Sequence, residues 1–322
     1  MLIGAIAEVV SLGSVLPFIS ILVAPEKVFN HPYAIDLVQV WGIASADKLV
    51  LPFTIVFVCI ALFAGLVRLL LLWVNTQLTV AIGTDLSMEV YRVTLYQPYK
   101  VHISRNSSEV ISGIINKVYS VIYGVLMPLL TLINAVFLLI AITLTLVAIN
   151  PVVAFIACVG FGLAYGLITI LAQPLLKKNG EFIAYEQAQL IKALQEGLGG
   201  IRDVLLNGTQ SVYCDIYRKA DYPIRKAYGR NLFIGQSPRF LMEVLGIVLI
   251  AVIAYSLRLN GGIETALPVL GALVFGAQRL VPALQHSYAA WSSIVGSQAS
   301  LADIIEILNT PTSVETLKAG ST

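Results

Sequence analysis

The sequence predicts an all-α membrane protein with six transmembrane helices that continue as long helical extensions on one side of the membrane. The first observation is composition: 58% of the residues are hydrophobic and only 12% are charged, whereas a soluble domain carries about 25% charged residues. The second is a set of apolar runs of roughly 20 residues, the length that crosses about 30 Å of hydrocarbon as a helix. The third is a pair of long polar and amphipathic stretches, 75–120 and 175–240, which prolong the helical pattern of the neighbouring runs.

The six predicted spans are 2–24, 51–74, 122–148, 151–173, 240–258 and 265–286. The first of these runs could also be a cleaved signal peptide. However, no basic segment precedes it, and Pro25-Glu26 follows where a cleavage site of small residues is needed. A first spanning helix is therefore the preferred interpretation.

The positive charges predict which side of the membrane holds the long stretches. Most of the 20 Lys and Arg residues lie in 75–120 and 175–240, whereas the opposite connections hold only Lys27, Lys48 and Arg258. Cytoplasmic loops carry an excess of Lys and Arg. We therefore expect a multi-pass protein of the plasma (inner) membrane, with both chain termini in the cytoplasm.

The extensions are predicted to be continuous with their spans. Residues 51–96, 106–148 and 151–206 each have the pattern of one helix. At 1.5 Å per residue such helices extend roughly 30 Å or more beyond the hydrocarbon. Pro174 is expected to bend the third helix where it leaves the bilayer. A membrane protein built in this way is suited to being moved from the cytoplasm.

Two turns are predicted at the ends of these extensions. In the first turn, 97–109, Pro98 stops one helix and residues 106–109 have the pattern of a cap that opens the next. In the second turn, 206–223, Asn207-Gly208 ends a helix and Pro223 interrupts the following one. A short apolar face at the second turn indicates a docking surface. It consists of Val212, Tyr213, Ile216 and Tyr217.

The connection between the first two spans, 25–50, is the one long connection expected outside the cell. Tyr33, Leu37 and Trp41 recur there at helical spacing beside polar residues. This pattern predicts a short amphipathic helix on the outer surface, with Trp41 as its interfacial anchor. An ordinary structured loop is the alternative.

Four stretches carry a resemblance to a known family: AEVVSLGSVLPFIS (7–20), HISRNSSEVISGI (102–114), ALQEGLGGIRDVLLNG (193–208) and QSPRFLMEVLGI (236–247). Together with the long extensions, they resemble the transmembrane domain of an ABC exporter of the six-helix, domain-swapped class. Within that class, the chain is most similar to exporters related to the lipid-linked-oligosaccharide flippase of bacterial protein N-glycosylation. Those exporters also carry a short external helix between the first two spans.

The resemblance implies a function for both turns. Residues 98–105 correspond to the first coupling helix and 209–218 to the second, and each docks into an ATPase domain. The residues implied in this contact are Tyr99, Lys100, His102, Val212, Tyr213, Ile216 and Tyr217. The resemblance further implies a homodimer and a transmembrane domain over 1–310. Residues 311–322 are then the start of a linker to an ATPase domain.

Two features depart from the family pattern. The sequence has no G-x-x-x-x-G-K-[ST] phosphate loop, so ATP and Mg²⁺ are expected to bind to an ATPase domain and not to this chain. The first span also begins without the basic cytoplasmic segment that is usual in the family. The sequence is therefore interpreted as an excerpt that contains one domain, or as a half-transporter that uses a separate ATPase.

Five ionisable residues are predicted to lie in the inner half of the membrane domain: Glu8, Arg68, Arg239, Glu243 and Arg279. Charge within a membrane is costly and usually faces a cavity or a partner. The three arginines are therefore expected to line a vestibule that receives an anionic group, since guanidinium is suited to phosphate oxygens. Alternatively, they extend to lipid head groups, or Arg239 pairs with Glu243 four residues later.

Other chemistry is not indicated. The three cysteines and three histidines have no metal-ligand spacing, and no set of nucleophile and base is evident. We therefore expect no catalytic residue, no metal site and no nucleic-acid partner. The predicted function is ATP-driven export of an amphipathic, lipid-linked substrate with an anionic head. The alternatives are export of a peptide or small lipid, and an ATP-independent channel or membrane scaffold.

Overall fold

The computed structural model of the protein describes residues 2–23, 50–149, 151–261 and 263–310. Every regular element in those ranges is helical. The predicted external helix at 33–41 and the segment 311–322 lie outside the described residues, and so do the side chains of Glu8 and Arg279.

The helices are, in chain order, α1 Leu2–Val23, α2 Val50–Leu95, α3 Tyr99–Ser104, α4 Ser107–Ser112, α5 Val118–Val121, α6 Met127–Ile149, α7 Pro151–Gly199, α8 Ile201–Leu206, α9 Gln210–Gln236, α10 Pro238–Gly261, α11 Ile263–Gly296 and α12 Gln298–Asn309. In the described chain, two π-helical segments connect α4 to α6 through α5; these are Gly113–Lys117 and Ile122–Leu126. The backbone is therefore helical without interruption from the start of α4 to the end of α6.

The two longest helices confirm that spans and extensions are continuous. Helix α2 has 46 residues and α7 has 49. At 1.5 Å per residue each is about 70 Å long, roughly twice the thickness of the hydrocarbon core. The predicted helices over 51–96 and 106–148 are thus confirmed by α2 and by the continuous segment from α4 to α6.

The prediction of one unbroken helix over 151–206 is wrong at a single point. Helix α7 ends at Gly199, and Gly200 has φ −95° and ψ 23° before α8 begins. Two consecutive glycines are poor helix formers, each costing about 1 kcal/mol relative to alanine. They permit the helix to break where little packing opposes it. Pro174, by contrast, lies inside α7.

The second predicted turn is shorter than the sequence indicated. Helix α9 begins at Gln210 and continues through Pro223 to Gln236, so the turn covers 207–209 and not 206–223. The residues that follow Pro223 explain why the proline lies inside α9. Ile224 and Ala227 are buried together with Ile183 of α7, and this packing holds the segment helical despite the missing backbone donor.

Four helical segments of the described chain are long and apolar enough to cross a membrane: Val50–Leu95, Ser107–Ala148, Cys158–Gly199 and Gln210–Val252. They contain the second to fifth predicted spans wholly or in large part. The first predicted span, 2–24, corresponds to α1, and the sixth, 265–286, lies within the longer helix α11. Six membrane crossings therefore stay a prediction.

The chain divides into two compact units. Unit 1 comprises Met1–Val74, Ile133–Gly162 and Met242–Leu284, and unit 2 comprises Asn75–Leu132, Leu163–Leu241 and Gln285–Thr322. Unit 1 consists mainly of residues from the predicted spans. Unit 2 contains both predicted turns and the extensions that lead to them.

In unit 1, α1 packs closely on α2. Ala7, Ala64 and Val67 are buried together, and small residues at such a contact allow two membrane helices to approach. The rings of Phe18 and Phe57 stack with centroids 4.5 Å apart. The remaining faces of α2 are apolar and exposed, as expected for a surface that contacts lipid. Examples are Leu62, Phe63, Leu66, Leu69 and Trp73.

In unit 2, one buried cluster joins three separate parts of the sequence. Val90 of α2, Val118 and Val121 of α5, and Ile304 of α12 are almost completely inaccessible to solvent. This cluster lies in the extension that leads to the first predicted turn. The cluster packs the helices on either side of that turn against α12.

Candidate functional site

The first tip, residues 97–109, connects α2 to α4 and contains the short helix α3. Pro98 has φ −58° and ψ 144°, so the chain leaves the direction of α2 before α3 begins. None of the residues of α3 is buried. Tyr99 is 79% exposed and Ile103 is 68% exposed. Two further exposed side chains are those of Lys100 and His102.

Hydrogen bonds fix the base of the first tip. Gln97 is buried, and its Oε1 accepts a hydrogen bond of 3.4 Å from Nη1 of Arg105. Asn106 is the N-cap of α4: its Oδ1 accepts from the backbone N–H of Ser108 at 3.1 Å and from the Ser108 hydroxyl at 2.9 Å. The cap predicted from sequence at 106–109 is thereby confirmed. The first tip therefore presents a small apolar surface on a constrained base.

The second tip, residues 200–218, contains α8, a tight turn and the start of α9. Gly208 has φ +64°, a backbone conformation that is open to glycine and strained for most other residues. The N–H of Thr209 donates to the carbonyl of Val204 at 3.0 Å, which closes the end of α8. The predicted helix end at Asn207-Gly208 is confirmed.

The structure separates the four residues of the predicted docking face on the second tip. Val212 and Ile216 are exposed, whereas Tyr213 and Tyr217 are half-buried. The Tyr213 ring lies against Gly197 of α7, where an added Cβ would be 3.2 Å from Tyr213 Cδ1. Tyr213 thus holds α9 against α7, and the aliphatic pair forms the accessible surface.

Four exposed apolar residues at the tips were missed by the sequence analysis. Ile103 belongs to the first tip, and Ile201, Leu205 and Leu206 belong to the second. Each lies close to a turn-forming residue in a polar segment, and that combination was the available signal. They enlarge the apolar surface that each tip presents.

A cavity in unit 2 that is lined partly by polar side chains was also missed. Its volume is about 290 Å³, and its lining includes Tyr228 and Asn231 of α9. Asn179 Nδ2 donates to Asn231 Oδ1 at 2.8 Å, and Gln187 Nε2 donates to the Tyr228 hydroxyl at 2.8 Å. Burial raises the pKa of the Tyr228 phenol, so the group is a neutral hydroxyl at physiological pH. The cavity is suited to ordered water, since it offers several hydrogen-bonding groups.

The helices around this cavity approach one another at glycines. A Cβ added to Gly180 of α7 would lie 2.3 Å from the carbonyl oxygen of Gly296 in α11. The Ser293 hydroxyl donates to the carbonyl of Gly124 at 3.1 Å, in the second π-helical segment. The sequence signal for this contact is the run of small residues over 287–300. This region of unit 2 is therefore closely packed backbone against backbone.

Three of the predicted vestibule residues have described side chains. Arg68 is exposed on α2 in unit 1, Arg239 is exposed on α10 in unit 2, and Glu243 is exposed on α10 in unit 1. Each of these three residues takes part in an interaction within the chain. That these residues line one vestibule, together with Glu8 and Arg279, stays a prediction.

Among the described residues, no group of three or more His, Cys, Asp or Glu side chains is arranged to hold a metal ion. The exposed groups on both tips are suited to protein contact, since aromatic and aliphatic side chains on a constrained base bury area at low entropic cost. The described chain thus has long helices that end in exposed apolar tips.

The family model of the ABC transporter transmembrane region matches residues 6–274. Among solved structures, the chain is similar to a bacterial Atm1-family ABC exporter with ATP bound, with a TM-score of 0.68 and 15% sequence identity. The match covers 93% of this chain and 54% of that exporter, so the chain spans about half of its length. At this identity the likeness shows the fold alone. No curated protein sequence matches the chain. Because the family model covers most of its residues, the chain belongs to the ABC transporter transmembrane region family.

Proposed function

We propose that the chain is the membrane domain of an ATP-driven exporter and is moved from the cytoplasm through its first and second tips. The observation that carries this proposal is that helices of 46 and 49 residues lead to exposed apolar tips. A helix that extends about 30 Å beyond the hydrocarbon can act as a lever between two packed states. Family membership and the exporter fold support the same conclusion.

An ATPase domain supplies the free energy for transport. It binds ATP and Mg²⁺, and it is either attached after residue 310 or present as a separate subunit, since this sequence has no phosphate loop. Tyr99 and Ile103 are the anchors that we assign to the contact with it, because both are highly exposed on α3. Val212 and Ile216 have the same role on the second tip.

A second copy of the chain completes the exporter as a domain-swapped homodimer in the plasma membrane, with the termini in the cytoplasm. Large apolar side chains stay exposed in unit 2 outside the predicted spans, and exposed apolar surface favours contact with another protein. Examples are Tyr185, Tyr222 and Phe233.

The cargo is an amphipathic molecule with an anionic head, and a lipid-linked saccharide is the proposed class. Support comes from the arginines at membrane depth: Arg68, Arg239 and Arg279 offer guanidinium groups to phosphate oxygens. Glu8 and Glu243 balance part of their charge. A peptide or a small lipid is the second candidate, because the same exporter fold is compatible with such cargo.

The coupling part of the proposal is tested in the complete transporter, reconstituted in liposomes with its ATPase domain. We expect the double variant Tyr99→Ala/Ile103→Ala to lose roughly 30-fold in ATP-driven transport, as when a docking anchor of about 2 kcal/mol is removed. ATP hydrolysis continues, because its active site is elsewhere. Ser104→Ala, an exposed polar residue of the same helix, is the control and should transport normally. Unchanged transport by the double variant would contradict the role of the first tip.

The cargo is tested with two labelled probes in the same liposomes, a lipid-linked oligosaccharide and a peptide. We expect ATP-dependent movement of the first probe, with a marked loss in Arg68→Ala and Arg279→Ala. Movement of the peptide alone would show that the cargo is a peptide and would leave the exporter proposal intact. If neither probe moves and ATP hydrolysis is absent, a channel or scaffold is the better description.

A further inference from the structure

An ion pair joins two residues of unit 2 that are far apart in the sequence. Lys117 Nζ lies 2.5 Å from Asp303 Oδ2, across a separation of 186 residues. The Lys117 side chain is 13% exposed and that of Asp303 is 37% exposed. Lys117 ends the first π-helical segment, eight residues after the first tip, and Asp303 lies in the middle of α12. The pair therefore connects the helix that follows the first tip to α12.

Apolar packing reinforces this connection. Ile304, the next residue of α12, is buried with Val118 and Val121 of α5. A Cβ added to Gly113 would lie 3.3 Å from Ile307 Cδ1, so the π-helical segment fits closely against α12. The ion pair thus lies at the edge of a buried core and is not an isolated surface contact.

The first tip itself reaches the same contact. A cavity of about 180 Å³ is lined by Arg105 and Glu109 from the first tip and by Asp303 and Glu306 from α12. Charges of both signs thus face one another across a small volume. Arg105 in turn donates to Gln97 at the base of the tip. Charged groups of α12 and of the first tip therefore share this cavity, and Arg105 links it to the base of the tip.

Opening this contact would be costly. It would leave Lys117 without its partner in a site that is largely shielded from water, and it would expose the core around Ile304. Removing one partner of a buried pair is much more costly than removing one at the surface. Closely packed elements of this kind move together, because packed cores do not deform continuously.

We propose that Lys117 and Asp303 are positioning residues that fasten the first tip to α12, so that the two move as one rigid body. The inference rests on the proposed exporter function. Helix α12 is the last described helix, and a domain attached after residue 310 would act on it first. A displacement of α12 then reaches the first tip directly, in addition to any displacement through docking on α3.

Hydrogen exchange tests the rigid body without requiring any cargo. The complete transporter is measured free of nucleotide and trapped with ATP and vanadate. We expect the amides of 113–121 and 298–309 to keep matching protection in both states. An increase of about tenfold or more in exchange of one segment alone would show that the two separate, and would overturn the proposal.

A chemical bridge provides the second test. In a background without the native cysteines, Gly113→Cys and Ile307→Cys are joined by a short bifunctional thiol reagent. A bridge across a contact that stays closed should leave ATP-driven transport within about twofold of the unbridged protein. Strong inhibition only in the bridged double variant, with both single variants unaffected by the reagent, would overturn the proposal. Absence of transport in the unbridged parent would instead contradict the proposed function, and hydrogen exchange still decides the inference.

A charge exchange separates positioning from mere stability. Lys117→Asp and Asp303→Lys should each lower the transport obtained per ATP hydrolysed by about 2- to 30-fold, the range of coupling changes expected along a contact network. The double variant restores the pair with its charges exchanged and should recover most of that loss. Transport per ATP that equals the wild-type value in all three variants would contradict a positioning role.

Discussion

Both tips expose apolar side chains, but the two tips are held in different ways. The first tip rests on a core contributed by α2, α5 and α12, and it is joined to α12 by the Lys117–Asp303 pair. The second tip is held by contacts between neighbouring parts of its own hairpin, such as Tyr213 of α9 against Gly197 of α7. Long-range packing therefore fixes the first tip, and local turn geometry fixes the second.

One chain can thus carry two exposed tips with distinct mechanical properties. A tip fixed by a buried core moves only when the elements around it move. A tip fixed by a glycine turn and one ring contact can adjust locally, since few buried groups oppose a small rearrangement. We expect substitutions at the first tip to affect stability most strongly, and those at the second tip to have smaller, local effects.

The largest effect is expected for Ile304→Ala beneath the first tip. Ile304 is 1% exposed, and truncation of a buried isoleucine typically costs about 2–5 kcal/mol. Ile305→Ala is the matched control, because the adjacent Ile305 is 48% exposed and its truncation should cost far less. Thermal unfolding in detergent measures both. Equal losses would show that the core does not support the first tip.

An intermediate effect is expected for Asp303→Asn, which removes the charge that faces Lys117. The loss should be about 1–3 kcal/mol, less than for a fully buried pair because Asp303 is partly exposed. Glu196→Gln is the comparison near the second tip. The Lys192–Glu196 pair is 3.9 Å apart and about half exposed, so its loss should be no more than about 0.5 kcal/mol. Similar losses in the two variants would remove the contrast between the tips.

A smaller effect that is confined to the turn is expected for Gly208→Ala in the second tip. Alanine at φ +64° is strained by about 1–2 kcal/mol, and the strain can be relieved by local rearrangement of the turn. Gly199→Ala is the control, since nothing surrounds that position and alanine should favour the end of α7. Hydrogen exchange should increase over 204–212 in Gly208→Ala alone. Global destabilisation by this variant would contradict a locally held tip.

Much of the fold could be predicted because it follows from local pattern. Apolar runs that continue into amphipathic stretches predicted α2 and the continuous segment from α4 to α6, and Pro98 and Gly208 marked turns by their own backbone preferences. The break at Gly199 and Gly200 was a local signal that was missed, whereas the error at the second turn came from tertiary packing. Pro223 stays within α9 because the residues after it are buried against α7, and no local rule contains that information.

The candidate site was less predictable for the same reason. The ion pair that joins the first tip to α12 is made by residues 186 positions apart, and the π-helical segment at Gly124 accepts a hydrogen bond from a serine of α11. Tyr213 looked like a docking residue because aromatic side chains at a turn favour binding, yet its ring is used to pack on Gly197. Exposure, which separates these roles, is a property of the assembled structure.

Transport driven through the tips requires both tips to lie in the cytoplasm, and Cys214 on the second tip permits a direct test. It is exposed, and Cys59→Ser with Cys158→Ser leaves it as the single cysteine of this sequence. A membrane-impermeant maleimide should label Cys214 in inside-out vesicles and leave it unlabelled in intact cells. Labelling of Cys214 from outside intact cells would invert the topology and contradict transport driven through the tips.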